Sequence, residues 1–465
     1  LTASSLSQPL RNALAEIVGP AAVLTEPADC LPYGYDNSRL QALPGAVLFA
    51  TEHSQVEAIM GLCNEHGLRL VPRGSGTGST GATVPAAGEI VLSLQRMQRI
   101  LAIEPENRLV RVQPGVTNQA LQERLAQQGF FWPPDPTSAS ICTIGGNLAY
   151  NSAGPRAVKY GTPRENTLGL QAVIGSGATI HTGVNTSKGV VGYDLTRLLI
   201  GSEGTLGVIT EATLKLTPLP ETKRTLEASY RDIHAAARAV SAIMAQPVTP
   251  CVLEFMDGAA LAMVRDYADL ALDASVGALL LIEVDGSAAS IQQEVQAVAE
   301  TARLDGCLEV KIAQSREEVA NLWKTRKALS PALRNLAPKK INEDVVVPVS
   351  RIPELINGLE QLSRQSGIQI INFGHAGNGN IHVNLLLDPD NPTQTQAAET
   401  CLDRLFDLVL ELDGTLSGEH GIGLVKKAFV GREIDPVTLE LMRRIRRQFD
   451  PKQILSPGKL FPESW

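Results

Sequence analysis

The stretch NFGHAGNGNIHVNLL, residues 372–386, sets His375 and His382 seven positions apart in a chain of 465 residues that has only seven histidines. Imidazoles bind divalent metals and move protons near neutral pH. In a helix a separation of seven is two turns, ~10.5 Å along the axis, too far for two nitrogens that must each lie ~2 Å from one ion. In an uninterrupted strand an odd separation sends the two rings to opposite faces. A sharp reversal between them is therefore required, and AGNGN supplies it. After the turn IHVNLL alternates, with Ile381, Val383 and Leu385 on one side and His382 and Asn384 on the other. The pattern predicts a half-buried strand that shows its polar side to a cavity. Two imidazoles seldom hold a cation unaided, and the usual third donor is a carboxylate. SGEHGIG, residues 417–423, offers Glu419 beside His420. Neighbouring side chains on extended backbone diverge, so the two can serve one pocket at different tasks. The alternative is a set of structural histidines bonded to backbone.

A second chemical signal is VPRGSGTGSTGATVP, residues 71–85. It contains a literal GxGxxG, but the proline and second strand that follow are not the helix a dinucleotide crossover needs, and there is no GK[ST] for a P-loop. What remains is a backbone that glycines let curl, so that successive N–H groups converge on an anion, with Arg73, Ser75, Thr77 and Ser79 as extra donors. The alternative is a plain surface turn. Residues 133–161, PPDPTSASICTIGGNLAYNSAGPRAVKYG, then join a rigid proline entry to small side chains that let backbone lie against a flat ligand.

These segments need elements to place them. Leu6, Leu10, Leu14 and Ile17 predict an amphipathic lead-in helix. From 47 to 215 short β-like runs alternate with turns, ending in LTRLLIGSEGTLGVITEATLKL, a helix, a glycine turn and a strand. TPLPETKRT, 217–225, marks a boundary. Beyond it YRDIHAAARAVSAIMAQ and SIQQEVQAVAETARLDG predict helices, VGALLLIEVDG and CLEVKIA strands, so an α+β domain runs to about 420. DPVTLELMRRIRRQFDP closes the chain as a helix with an Asp cap and a Pro at its first position. At this length two domains, or three, are expected. Hydrophobic residues at 44% and charged residues at 19% describe a globular protein, and the net charge of −8 argues against nucleic acid. The six scattered cysteines fit neither a disulfide framework nor a short-spaced iron–sulfur motif. No secretory signal and no transmembrane segment is expected; the start at Leu1 suggests trimming upstream. The expectation is a cytoplasmic protein, or a mitochondrial matrix one if the chain is a trimmed eukaryotic product.

Taken in order, the glycine loop, the 133–161 stretch and the 195–216 stretch resemble the FAD-binding domain of the vanillyl-alcohol oxidase/p-cresol methylhydroxylase flavoprotein superfamily. Nearly the whole chain, through SPGKLF, is similar to its 2-hydroxy-acid branch: D-lactate dehydrogenase, D-2-hydroxyglutarate dehydrogenase and the glycolate oxidase catalytic subunit. The resemblance implies an α+β fold. A two-subdomain FAD-binding domain of the p-cresol methylhydroxylase type spans 1–216, and a substrate (cap) domain with an antiparallel sheet spans 217–420. A helical segment, 421–465, packs back on the FAD domain. It implies that Arg73, Gly74, Ser75, Gly76, Thr77, Gly78 and Ser79 cradle the pyrophosphate. Pro136, Thr137, Thr143, Gly146, Asn147, Ser152 and Gly154 would line the flavin, and Glu203, Gly204 and Ile209 the adenine and ribose side. No histidine stands out for a covalent link, so non-covalent FAD is expected. GHxG(D/N)GNxH and GEHG(I/V)G resemble metal-dependent members, implying His375, His382 and Glu419 as metal ligands and His420 as base. Zinc is the first choice, manganese or iron the alternatives. Asn378 stands where an aspartate is common, and Ser456 replaces the usual asparagine of Asn-Pro-Gly.

The implied reaction is oxidation of a D-2-hydroxy acid to the 2-oxo acid with hydride passing to flavin N5. Arg326, with Ser330 one helical turn on, is expected to clamp the carboxylate; the alternative is a solvated helix face. Lys340, in a polar cluster with Lys339 and Asn342, and Asn384 are further substrate candidates. RRIRR, 443–447, reads as a solvated basic face. With no haem or cluster motif the electron acceptor is external: an electron-transfer flavoprotein, a quinone, a cytochrome or an iron–sulfur subunit, with O₂ as an alternative. The sequence does not fix the oligomeric state; a homodimer is one option. D-2-hydroxyglutarate and D-lactate lead as substrates. The alternatives are a glycolate oxidase-type catalytic subunit, a non-catalytic flavin-holding subunit and a flavin-free metallohydrolase.

Overall fold

The computed structural model describes residues 6–268, 273 and 275–462. The chain forms two compact units. The first comprises Leu1–Gly154, Gly161–Leu219 and Glu419–Trp465; the second comprises Pro155–Tyr160 and Pro220–Gly418.

Within the first unit are two larger sheets. One has four strands in the order Val23–Leu24, Ala46–Phe49, Ile90–Ser93, Leu70–Arg73, the last three mutually parallel. The runs AVLF and IVLS are buried at every position, as parallel strands covered on both faces must be. Leu70–Arg73 tolerates Pro72 because it is the edge strand, where no ladder partner needs that missing N–H. The helices Gln8–Val18 and His53–His66 pack here through Leu14, Val56, Ile59 and Met60. The other sheet is antiparallel, in the order Ile100–Glu104, Leu109–Val112, Val208–Lys215, Thr167–Val173, Thr179–Gly183. Its core gathers Val110, Val112, Leu170, Ala212 and Leu214 with Leu121, Leu125 and Trp132.

The second unit is built on a seven-stranded antiparallel sheet. Its order is Cys307–Ile312, Thr222–Tyr230, Ala278–Gly286, Val252–Asp257, Gln369–His375, Asn380–Leu387, Lys339–Val346. Register pairs Met256 with Leu279 and Phe373, and Phe373 with His382, so these side chains share one face. On that face Met256, Leu281, Ile371, Phe373 and Leu386 pack with Leu261, Val264, Leu329 and Leu333 from the helices Gly258–Ala268 and Arg316–Leu336. The opposite face carries Tyr230, Leu280 and Ile282, with the Tyr230 hydroxyl donating to Ala302 O (2.8 Å) at the end of helix Ile291–Ala302.

The strand holding His382, Asn380–Leu387, is buried at all eight positions, which corrects the half-buried strand read from its alternation. Alternation reports which residues share a side; it does not report that a helix covers the polar side as well.

Candidate active site

In the first unit, strand Leu70–Arg73 runs straight into the glycine loop. Asn37 holds that loop by its carbonyls: Asn37 Nδ2 donates to Thr77 O (3.0 Å) and Asn37 N to Gly78 O (2.9 Å). The Ser75 hydroxyl donates to Ile141 O (2.6 Å). No backbone N–H from Ser75 to Ser79 donates to any described residue. A loop fixed by its carbonyls, with a run of N–H groups given to no described acceptor, has the form of an anion-binding nest. Gly76 sits at φ +69°, and the Arg73 guanidinium occupies the space a Cβ there would need. Arg73 is buried, donating to Thr83 Oγ1 (3.2 Å) and Pro32 O (3.4 Å), so it props the loop from behind. Burial draws its pKa below the usual value, and Asp36 opposes that.

A cleft with an empty volume of about 580 Å³, its open mouth included, is lined by Arg73, Gly74, Thr143, Gly146, Glu203, Gly204 and Ile209 among others. All seven were expected at FAD: Arg73 and Gly74 at its pyrophosphate, Thr143 and Gly146 at the flavin, Glu203, Gly204 and Ile209 on the adenine and ribose side. Thr143 also caps the helix Ile144–Tyr150, accepting from Gly146 N (3.3 Å), and abuts Gly74. Of the remaining flavin candidates, Asn147 is buried and bonded to Asn118 Nδ2 (3.2 Å) and Cys142 Sγ (3.4 Å). Pro136 and Gly154 lie on adjoining stretches: Asp135 N donates to Ala153 O (2.8 Å), and a Cβ on Gly154 would come 3.0 Å from Pro136 N. Thr137 follows on the first of these stretches and Ser152 precedes Ala153 on the second.

Glu203 is buried at φ +52° and accepts from Ile422 N (2.6 Å) and Gly423 N (2.7 Å), holding the 420–423 loop. Burial pushes its pKa up to about 7, only partly offset by those two N–H groups. In the same loop the Thr80 hydroxyl donates to His420 O (3.2 Å). Glu419 Oε2 accepts from Gly154 N (3.0 Å), and Glu419 O from the Ser152 hydroxyl (3.3 Å). The base candidate and the carboxylate candidate therefore belong to the segment that borders the 152–154 stretch. Ser456 Oγ and Lys459 Nζ are buried with no hydrogen-bond partner among the described residues. Burial lowers the Lys459 ammonium to about 8, against the pull of Glu89 and Glu203. N–H groups over five residues with no described acceptor, a cleft walled by glycine and the orphaned Ser456 Oγ beside Gly204 fit FAD, which brings both anionic and polar atoms.

The second unit holds the histidines. His375 ends strand Gln369–His375, Ala376–Asn378 forms a 3-10 turn, Gly379 at φ +75° completes the reversal, and Asn380 starts the return strand. A Cβ on Gly379 would strike Val347 O, so only glycine makes this turn. The two rings meet edge to face at 5.2 Å, each buried, with ligand nitrogens within 4.8 Å of each other. The His375 Nδ1 is 2.5 Å from Glu254 Oε1, and Arg326 Nε donates to Glu254 Oε2 (2.5 Å). Burial alone raises the Glu254 pKa, but Arg326 and then His375 outweigh it and hold the carboxyl down to about 2. Arg326 is packed 5.1 Å from the Phe373 ring centre and has no further partner among the described residues. Asn384 is fully buried and its amide is occupied: Oδ1 accepts from Asn342 Nδ2 (2.6 Å), and Nδ2 reaches Ile371 O (3.1 Å) and His382 O (3.2 Å). Lys340 pairs with Leu386 and lies on the same sheet face, and Lys339 on the other. The Ser330 side chain lies outside the described residues.

Glu254 was not singled out from sequence. Its signal is there: CVLEFM sets one acid inside an apolar run, and a buried charge demands a partner.

Comparison with known proteins supplies the family. The description "FAD linked oxidases, C-terminal domain" matches residues 219–460 and "FAD binding domain" matches 44–183. The glycolate oxidase subunit GlcD of Bacillus subtilis is 38% identical over 98% of this chain and 97% of its own length. The D-lactate dehydrogenase of Anaerostipes hadrus is 32% identical over 90% of each chain. The chain is an FAD-linked oxidase. It belongs to the branch of the superfamily that holds the glycolate oxidase GlcD subunits and the D-lactate dehydrogenases. Among solved structures, p-cresol methylhydroxylase with substrate bound aligns at a TM-score of 0.79 and 18% identity, covering 98% of this chain and 97% of that one. Alkyldihydroxyacetonephosphate synthase aligns at 0.77 and 19%, covering 99% and 87%. The fold of this oxidase is therefore the p-cresol methylhydroxylase type, an FAD-binding domain plus a C-terminal domain with a large antiparallel sheet. Among the described residues no helix is long and apolar enough to cross a membrane.

Proposed function

We propose that this FAD-linked oxidase converts a D-2-hydroxy acid, or glycolate, to the 2-oxo acid, with a divalent cation held by His375, His382 and Glu419. The observation that carries the reading is the pair of buried imidazoles on one hairpin, with ring nitrogens within 4.8 Å. Support for Glu419 as the third donor comes along the chain. Asp344 is the register partner of His382, Gly418 N donates to Asp344 Oδ2 (2.9 Å), and Glu419 is the next residue. Two imidazoles and a carboxylate suit zinc first, manganese or iron second. When bound, FAD supplies the two-electron acceptor for the Cα hydrogen, and a divalent ion supplies Lewis acidity at the hydroxyl. The chain supplies the rest. Arg326 presents its outer guanidinium nitrogens to the substrate carboxylate, His420 takes the hydroxyl proton, and the 75–79 N–H row holds the pyrophosphate.

The relatives' names, glycolate oxidase and D-lactate dehydrogenase, favour a short acid over the dicarboxylate D-2-hydroxyglutarate. The word "subunit" in the first supports an external acceptor on a partner chain. The test is an anaerobic panel of glycolate and of D- and L-2-hydroxy acids, following flavin bleaching before and after chelation. Bleaching by glycolate or D-lactate, lost on chelation and restored by zinc, is expected; bleaching that survives complete metal removal refutes the metal-assisted scheme. His420→Ala keeps flavin colour and metal but loses turnover.

A further inference from the structure

We infer that Glu254 is a positioning residue that sets two parts of the site at once, one carboxylate oxygen fixing His375 and the other fixing Arg326. The inference rests on the proposed reading of His375 as a ligand and Arg326 as a substrate clamp. Two observations carry it. Glu254 is 1% exposed, in the middle of strand Val252–Asp257, so its charge has no water to rely on. Its two oxygens face two different elements: Oε1 meets His375 Nδ1 on the neighbouring strand, and Oε2 accepts from Arg326 Nε on helix Arg316–Leu336. Each bond decides which atoms are left over.

A carboxylate against Nδ1 keeps the proton there, so the lone pair of His375 is on Nε2, the nitrogen that would ligate a metal. The same carboxylate on Nε turns the guanidinium so that Nη1 and Nη2, which no described residue engages, form the open edge of the fork. Phe373 beneath the guanidinium stops it rotating away. One buried anion thus ties the tautomer of a ligand to the orientation of a clamp, on two elements that sequence order separates by 49 residues, 326 to 375.

The test uses purified, FAD-loaded enzyme. Zinc affinity is measured by competition with a chromophoric chelator. Oxalate affinity is measured on metal-stripped enzyme from the perturbation of the flavin spectrum, and the His375 tautomer by ¹⁵N NMR of the same sample. Glu254→Gln is expected to weaken zinc about 10- to 100-fold, to weaken oxalate about tenfold and to shift the His375 tautomer ratio, with flavin content unchanged. Arg326→Lys is expected to weaken oxalate alone, leaving zinc within about twofold. Glu254→Asp, which keeps the charge on a shorter stem, is expected to recover part of each loss, and it decides the question if the amide variant does not fold. Zinc or oxalate binding at the wild-type level in Glu254→Gln, or in Glu254→Asp when that variant decides, overturns the double role. Wild-type enzyme that takes up no zinc refutes the metal reading instead. Glu254 is then judged by the oxalate and tautomer measurements, which need no metal.

Discussion

Glu203 in the first unit and Glu254 in the second are both almost completely buried, and burial pushes both pKa values upward. They end far apart, at about 7 and about 2. The difference is in what answers them. Glu203 receives two backbone N–H groups, with Lys459 acting through the field; Glu254 has a guanidinium and an imidazole bonded directly to its oxygens. Neutral dipoles soften a buried charge, whereas a bonded guanidinium makes it permanent. The first arrangement suits a loop latch, and the second suits a fixed anion that orients other groups.

The sharpest way to break the contrast is Glu254→Leu. It strands the Arg326 guanidinium, 12% exposed, without its anion, and a loss of about 3–5 kcal/mol is expected. A fall in the thermal or urea midpoint checks it, with a shift no larger than that of a surface variant counting against the claim. Next comes pH. The folded pKa of Glu203 lies above its ordinary 4.5, so the folded state binds the extra proton. Stability is then highest below about 4.5 and falls as pH rises toward 7, by on the order of 3 kcal/mol. Glu203→Gln should flatten that slope in melts at pH 5 and pH 8, while Glu254, ionised throughout this window, contributes none. A smaller effect is expected from Gly76→Ala: a positive φ costs an L-residue about 1 kcal/mol and the Arg73 guanidinium must move. Reduced flavin absorbance per polypeptide is the readout. Smallest is Glu440→Ala. Its ion pairs with Arg444 and Arg447 are fully exposed, and no change in melting or turnover is expected.

Sequence made some of this site legible and left the rest dark for reasons that can be named. AGNGN between two histidines is readable because only a reversal reconciles a separation of seven with one ion, and the structure has strand, turn and strand at that place. The glycine loop is readable because φ and close approach are local demands: Gly76 at +69° and Gly81 at +80° follow from residue type. Arg326 was legible as a cation of the right spacing, but not as half of a pair, since Glu254 lies 72 positions away. The return of Pro155–Tyr160 to the second unit, pinned by Lys159 Nζ and the Tyr160 hydroxyl on Asp285 (2.6 and 2.8 Å), left no periodic mark.

The chain by itself determined its turns, its caps and the side of each strand on which a residue stands, because those depend on a few neighbouring dihedrals and on the two-residue and 3.6-residue periods. Asp435 capping Pro436–Phe449 is of this kind. Only the tertiary structure decided which strands pair, what covers the polar face and whose charge answers Glu254, because those depend on register and packing between segments far apart in sequence, where a shift of one residue would send every partner to the other face.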